Sequence, residues 1–298
     1  MSDHELRELE RRAQESEDPA DEAALLQAQA RAGLLEPLLL RARAYLGEPA
    51  ARLALGPERP TRWDRLAPFV AEWFAEPLAP DLDAAWANLE QLEARCGPFP
   101  EAIREWLVLT HGRAGSDVAE SAVLAPDFVV VRDGRLPVFS DRQGSWAYRI
   151  ETNSPEADPP VFLGDSGEVI TTASETIWMG LLYGVVEAAC WGMPESSFST
   201  LCALNAAQWN WTHSPDFLGQ RLRRVAGPLT PFDPRRAELM ARELELPHPL
   251  HFTLTGYQAD QVLVVSEGHP ADWGGFTYLV APEDQTFQDT RAWLDRRD

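Results

Sequence analysis

Residues 136–163 read LPVFSDRQGSWAYRIETNSPEADPPVFL, and the pattern of this stretch decides what kind of fold the chain can adopt. Val138 and Phe139 close an apolar run, and Asp141-Arg142-Gln143-Gly144 carries turn chemistry. Trp146, Tyr148 and Ile150 then fall on one face of a period-two strand. Asp158-Pro159-Pro160 ends the excursion, because consecutive prolines fix φ and remove two backbone donors just before Val161, Phe162 and Leu163. The stretch predicts two short strands, a loop and a rigid exit. It contains no catalytic grouping, which tilts the reading toward a binding protein.

Working outward on the N-terminal side, Phe128-Val129-Val130-Val131 predicts a further strand, joined to the central stretch by the tight turn Arg132-Asp133-Gly134-Arg135. The Asp-Gly pair favours a hairpin, so the region predicts an antiparallel meander. Before it, Leu82, Trp86, Leu89, Leu92 and Cys96 repeat at helical spacing after Asp81, and Gly97-Pro98 stops them. Pro100 opens another helix through Ile103, Trp106, Leu107 and Thr110, closed at His111-Gly112. These two helices are expected to pack as a pair. An earlier amphipathic run, Leu66, Phe69, Val70, Trp73 and Phe74, predicts a helix broken by Pro77 and Pro80. Residues 4–55, rich in Ala, Leu, Glu and Arg, predict two or three short helices, with Gly47 and Gly56 as stops.

On the C-terminal side, Thr172 and Glu175 have capping-box spacing, and Ile177, Trp178, Leu181, Leu182 and Val185 form a wide apolar helical surface. Residues 194–246 predict helices near Phe198–Gln208, Phe217–Val225 and Pro234–Leu244. Strands return at Leu250–Leu254, Val262–Val265 and Gly275–Ala281, before a short helix around Thr290–Leu294. The whole predicts an α+β protein: a twisted antiparallel sheet packed with helices, preceded by an N-terminal helical segment over 1–60, with the main domain over 61–298.

Composition narrows the function classes. Among 298 residues, 47 acidic side chains stand against 26 basic ones, all of them Arg, for a net charge of −21. Residues 126–220 carry four Arg against twelve Asp or Glu, so the acidity is concentrated in the middle. Such a surface repels nucleic-acid phosphates and anionic lipid heads and attracts a basic protein. Direct nucleic-acid binding is therefore disfavoured. Cys96, Cys190 and Cys202 are widely spaced in apolar surroundings, which suits reduced thiols and a cytoplasmic location. The first residues lack an apolar signal region, and no apolar run approaches bilayer-spanning length.

Three motifs invite chemistry. Gly164-Asp165-Ser166-Gly167 spells the tetrapeptide around the nucleophile of chymotrypsin-like proteases, but Glu168 follows where a glycine is expected and neither His4 nor His111 sits in a matching motif. A turn explains it. His248 and His251, interleaved with Pro247 and Pro249, lack the further ligands zinc requires. Asp141, Glu151, Glu156, Asp158 and Asp165 lie close in sequence without the spacing of a calcium loop, and read as a solvated acidic rim. No cofactor and no metal is expected. Of the 11 Trp, Trp86, Trp106, Trp146 and Trp178 sit at apolar positions of core type, whereas Trp209, Trp211 and Trp273 are candidates for exposed anchors.

The order of these elements resembles the SUKH superfamily, which includes fungal cell-wall-synthesis regulators and many bacterial immunity proteins. The resemblance runs from about Asp81 to the C-terminus. It rests on the Pro100–Leu107 helix closing at His111-Gly112, on Val138-Phe139, on Gln143-Gly144-Ser145-Trp146-Ala147-Tyr148 and on Asp158-Pro159-Pro160-Val161. Asp141 and Arg142 stand where the family often has an acidic residue and Asn, and residues 191–248 are long enough to read as an insertion.

The resemblance implies a non-catalytic protein-binding module, in bacteria an immunity protein that neutralises a partner toxin. A basic nuclease domain suits the acidic surface, with occlusion of its nucleic-acid channel as the mechanism. The residues expected to meet the partner are Asp141, Gln143, Trp146, Glu151, Glu156, Asp158 and Trp273. The alternatives are a scaffold or regulatory adaptor without a toxin partner and, at a distance, a hydrolase using Ser166 or the acidic cluster.

Overall fold

The computed structural model describes residues 3–73, 77–113, 121–126, 129–141, 147–164, 169–178 and 180–181, and the strands at 205–210, 230–231, 253–259, 262–268 and 276–281. The chain divides into two compact units. One comprises Met1–Ala71, Glu76–Arg113 and Thr152–Asp158; the other comprises Glu72–Ala75, Ala114–Glu151 and Pro159–Asp298. The architecture is mixed α+β, helical in the first unit and sheet-based in the second.

Residues 3–55 form four helices, one more than the upper number expected: α1 (Asp3–Glu15), α2 (Pro19–Arg31), α3 (Pro37–Tyr45) and α4 (Pro49–Leu55). The extra stop lies in a repeated device. The last three helices each start at an acidic residue followed by proline, Asp18-Pro19, Glu36-Pro37 and Glu48-Pro49, where the fixed φ of proline suits the first helical turn. After α2 and α3 the chain reverses through Gly33 and Gly47, both at positive φ. The paired bonds Leu34 N–H to Gln29 O at 2.9 Å and Glu48 N–H to Arg43 O at 3.1 Å close these helices in Schellman fashion.

Short helices with small residues pack closely. Ala23, Leu26, Leu40, Ala44, Ala50 and Ala51 make one buried cluster. α3 is buried on nearly every side, through Leu38, Leu39, Leu40, Ala42, Ala44 and Tyr45, so it reads as a core helix rather than a surface one.

After α5 (Leu66–Trp73) come the two helices expected as a pair, α6 (Leu82–Cys96) and α7 (Glu101–Leu109), and they do pack together. Arg104 of α7 pairs with Glu93 at 3.0 Å and lies 5.7 Å over the Trp86 ring. Trp63 and Trp106, both fully buried, meet with ring centroids 5.3 Å apart. α3 also packs on α7, so this unit does not divide at residue 60.

Asp81 caps α6, its side chain accepting from the N–H groups of Asp83 and Ala84, both at 3.1 Å. Asp81→Ala is expected to lower unfolding free energy by about 1 kcal/mol, the usual worth of an N-cap, read as a shifted urea midpoint with unchanged slope.

The second unit holds two antiparallel five-stranded sheets. The first is a meander in sequence order: β1 (Ser121–Val123), β2 (Arg135–Asp141), β3 (Ala147–Glu151), β4 (Pro160–Leu163) and β5 (Val169–Thr172). The central stretch thus forms the expected strands. A bulge at Val138 lets Leu136 pair with Ile150 and Phe139 with Tyr148, which brings both β2 side chains to one face despite their odd spacing. The Phe139 and Tyr148 rings stack at 6.0 Å. Burial pushes the Tyr148 hydroxyl up to about 12.

The Asp-Gly turn forms as expected. Asp133 and Gly134 both take positive φ, 52° and 74°, while Arg132 and Arg135 exchange backbone bonds of 3.0 and 2.9 Å. The strand expected over Phe128–Val131 is corrected at Val129–Val131, Phe128 lying outside the described residues. Beyond the Arg132–Arg135 bridge, Val129–Val131 add nothing to the ladder. Residues 121–124 already occupy that edge of β2, with Val123 opposite Phe139 and Leu124 N–H donating to Val138 O at 3.0 Å.

A helix opens at residue 173, where the Glu175 carboxylate accepts from Thr172 N–H at 3.5 Å and from the Thr171 hydroxyl. This is half of the expected capping box; the Thr172 hydroxyl has no hydrogen-bond partner among the described residues. Ala173, Ile177 and Leu181 are buried.

The second sheet runs β6 (Asn205–Asn210), β10 (Phe276–Ala281), β9 (Val262–Gly268), β8 (Thr253–Ala259) and β7 (Thr230–Pro231). The helix expected to reach Gln208 is corrected. Asn205–Asn210 pairs with β10 from Asn205↔Ala281 to Asn210↔Phe276, a non-local ladder that overrides the helix preference of Ala206, Ala207 and Gln208. The strand expected from Leu250 is described from Thr253 onward, and residues 250–252 lie outside the described residues. Two segments of the expected insertion over 191–248 are therefore strands of this sheet. The helices expected at Phe217–Val225, Pro234–Leu244 and Thr290–Leu294 lie outside the described residues.

Candidate functional site

α7 begins without a side-chain cap, because its N-cap residue is Pro100. One of the free donors of the first turn, Ala102 N–H, is instead taken by the carbonyl of Ala157 at 2.8 Å. Arg62 Nη1 donates to the same carbonyl at 3.2 Å. The segment 152–158 is thus fastened to the start of α7 by a carbonyl that accepts twice. Ser154 Oγ accepts from Glu156 N–H at 3.4 Å, shaping the turn that leaves the Glu156 side chain in solvent. Asp158 is half-buried and within electrostatic reach of Arg62.

Arg62 also reaches inward. Its Nη2 donates to Glu101 at 2.7 Å, and its Nε lies 3.1 Å from Glu105. Arg41 of α3 spans the same two carboxylates, at 3.1 Å from Glu101 and 2.7 Å from Glu105. Tyr45 adds a hydroxyl bond to Glu105 at 3.3 Å. Glu105 is 0% exposed. Two guanidinium groups and two carboxylates balance in charge there, which is what makes burial of so many ionic groups tolerable. Burial pushes the Glu105 carboxyl above its ordinary range, with Arg62 and Arg41 opposing the shift. The Tyr45 hydroxyl is likewise raised, by burial and then by the Glu105 charge.

The expected partner-facing residues do not all converge. Glu156 and Asp158 share the fastened segment. Asp141 and Glu151 end β2 and β3 at opposite ends of their ladder, since Arg135 pairs with Glu151 and Asp141 pairs away from it with Ser121. That separates them by about 20 Å at 3.3 Å per residue, too far for one acid/base pair or one cation. Glu151 is exposed. Gln143, Trp146 and Trp273 lie outside the described residues, as do Ser166, His248 and His251. Trp209, expected as a loop anchor, lies on β6 opposite Thr277.

Among the described residues, no group of three or more His, Cys, Asp or Glu is placed to hold a metal ion, and no helix is long and apolar enough to cross a membrane. Gly164, first residue of the protease-like tetrapeptide, donates its N–H to Ala147 O at 2.9 Å, one step beyond the Tyr148↔Leu163 pair of β3 and β4, and residues 165–167 lie outside the described residues.

No family model, curated protein or solved structure matches the chain. The reading of its role rests on its own residues. The pattern of α7 gave no sign of the Arg41–Arg62–Glu101–Glu105 network, because Arg41 and Glu105 are 64 positions apart and neither belongs to a local charge motif. The one available signal was Glu105 itself, a carboxylate between Ile103 and Trp106 on an apolar helix face.

Proposed function

We propose that this chain is a non-catalytic protein-binding module of SUKH type, acting as an immunity protein that binds and occludes a basic toxin domain in the cytoplasm. The observation that carries the reading is the acidic segment around Glu156 and Asp158. It is exposed at Glu156, fastened through Ala157, and set in a chain of net charge −21 without a single Lys. A fixed acidic projection is suited to steer and orient a cationic partner, since complementary charge raises the association rate and sets the register. The order of elements supports the family reading: a proline-led helix ending at His111-Gly112, a meander with Val138-Phe139 on β2, and Asp158-Pro159-Pro160-Val161 leading into β4. The carboxylates at Glu101 and Glu105 are engaged by arginines and serve the fold.

The test is binding of the purified chain to basic domains encoded beside it. The expected result is a complex of defined stoichiometry that inhibits the partner and weakens with salt. In it, Glu156→Arg with Glu151→Arg slows association by about tenfold or more at low ionic strength. Binding unchanged by salt and by both reversals would remove the electrostatic reading. Neutralisation of no neighbour, with capture of a host protein instead, would favour the adaptor. A hydrolytic activity lost in Ser166→Ala would overturn both.

A further inference from the structure

Segment 152–158 and α3 do not touch the same atoms of α7, yet they are tied to it by one set of charges. Arg62 divides its guanidinium among Glu101, Glu105 and the Ala157 carbonyl. Arg41 holds the far side of the same two carboxylates. With both arginines present, the two cations balance Glu101 and Glu105, and Asp158 can lie near Arg62. Without Arg41, one arginine faces three carboxylates, and the position of Asp158 becomes the unfavourable one. The segment carries the cap of α7 on a single carbonyl, so its release would free Ala102 N–H without unwinding the rest of the helix.

We propose that the Arg41–Arg62–Glu101–Glu105 network is a latch: segment 152–158 opens from α7 as a local unit, and α3, through Arg41, sets how readily it does so. The latch couples the N-terminal helices to the acidic segment although Arg41 makes no bond to that segment. It can be observed in the free protein, so its failure is separable from failure of the partner-binding reading.

The experiment is native-state amide exchange on the full chain, comparing Ala102, whose N–H is held by Ala157, with Val108, a fully buried residue in the last turn of α7. In Arg62→Met and in Arg41→Met, exchange at Ala102 is expected to accelerate about tenfold beyond any change at Val108, the worth of one charge-assisted hydrogen bond. Arg62→Lys keeps the charge but loses the forked geometry, and is expected to fall between wild type and Arg62→Met. Equal acceleration at both amides would overturn the latch, because the network would then support only global stability. So would an Ala102 amide unprotected in the wild type, or an Arg41→Met variant in which Ala102 exchanges as in the wild type.

Discussion

Glu105→Ala is expected to lose about 3–5 kcal/mol of unfolding free energy, read from urea unfolding monitored by Trp fluorescence, because it strands buried arginine charge. The carboxylate is fully buried and is met by Arg41 at 2.7 Å, Arg62 at 3.1 Å and Tyr45 at 3.3 Å. Removing it leaves two guanidinium groups to share Glu101, and leaves the Tyr45 hydroxyl without its acceptor. A domain stable by about 5–15 kcal/mol has little margin for such a loss.

Glu105→Gln separates the two contributions. It keeps the volume and one accepting oxygen, so its cost is expected to be nearer 1–3 kcal/mol, roughly the penalty for weakened bonds to buried donors. Pairing Arg41→Met with Glu105→Leu removes one charge of each sign and leaves Arg62 with Glu101. That double variant should be less destabilised than the sum of its parts, as a coupled pair requires. A loss below about 1 kcal/mol for Glu105→Ala would place the network among exposed ion pairs and contradict its burial.

How much of this was legible depends on whether the cause is local. Asp81 as a cap, Gly97 as a stop and the Asp133-Gly134 turn are consequences of backbone chemistry within a few residues, and each is where the sequence predicts it. The meander of β2, β3 and β4 follows from alternation and from Pro159-Pro160, which are also local. β6 was not legible, because Ala206, Ala207 and Gln208 favour helix until β10, some seventy positions later, supplies a ladder. The same holds for Val129–Val131, whose β-branched character is real but whose place on β2 is taken by residues 121–124.

At the candidate site, the exposed Glu156 could be read from composition and turn chemistry. Its anchoring could not, since Arg62 and Ala157 are 95 positions apart and meet only in the folded unit. The bulge at Val138 shows the limit of pattern reading within a strand. Strict alternation would place Leu136 and Phe139 on opposite faces, and one unpaired residue reverses that outcome.

Gly180→Val is expected to destabilise the second unit by about 3 kcal/mol, the upper range of overpacking in a well-filled core. The helix that opens at residue 173 comes so close to the first sheet that a Cβ on Gly180 would stand 2.5 Å from Val123 Cγ2 and 2.9 Å from Phe139 Cδ2. Neither neighbour is free to yield. Val123 pairs with Phe139 across β1 and β2, and the Phe139 ring is stacked on Tyr148 at 6.0 Å. The strain is therefore passed to strand backbone.

Gly180→Ala introduces only the Cβ, and alanine's better helix propensity returns about 1 kcal/mol, so its net cost should be about 1–2 kcal/mol. Val123→Ala removes the nearest obstructing atom. In a double-mutant cycle, Gly180→Ala and Val123→Ala should be less destabilising together than the sum of the two singles, by about 1 kcal/mol. Strict additivity, or a Gly180→Ala variant more stable than wild type, would mean that the helix does not approach the sheet this closely. The glycine would then be a plain helix-weakening residue, whose replacement by alanine should stabilise rather than strain the unit.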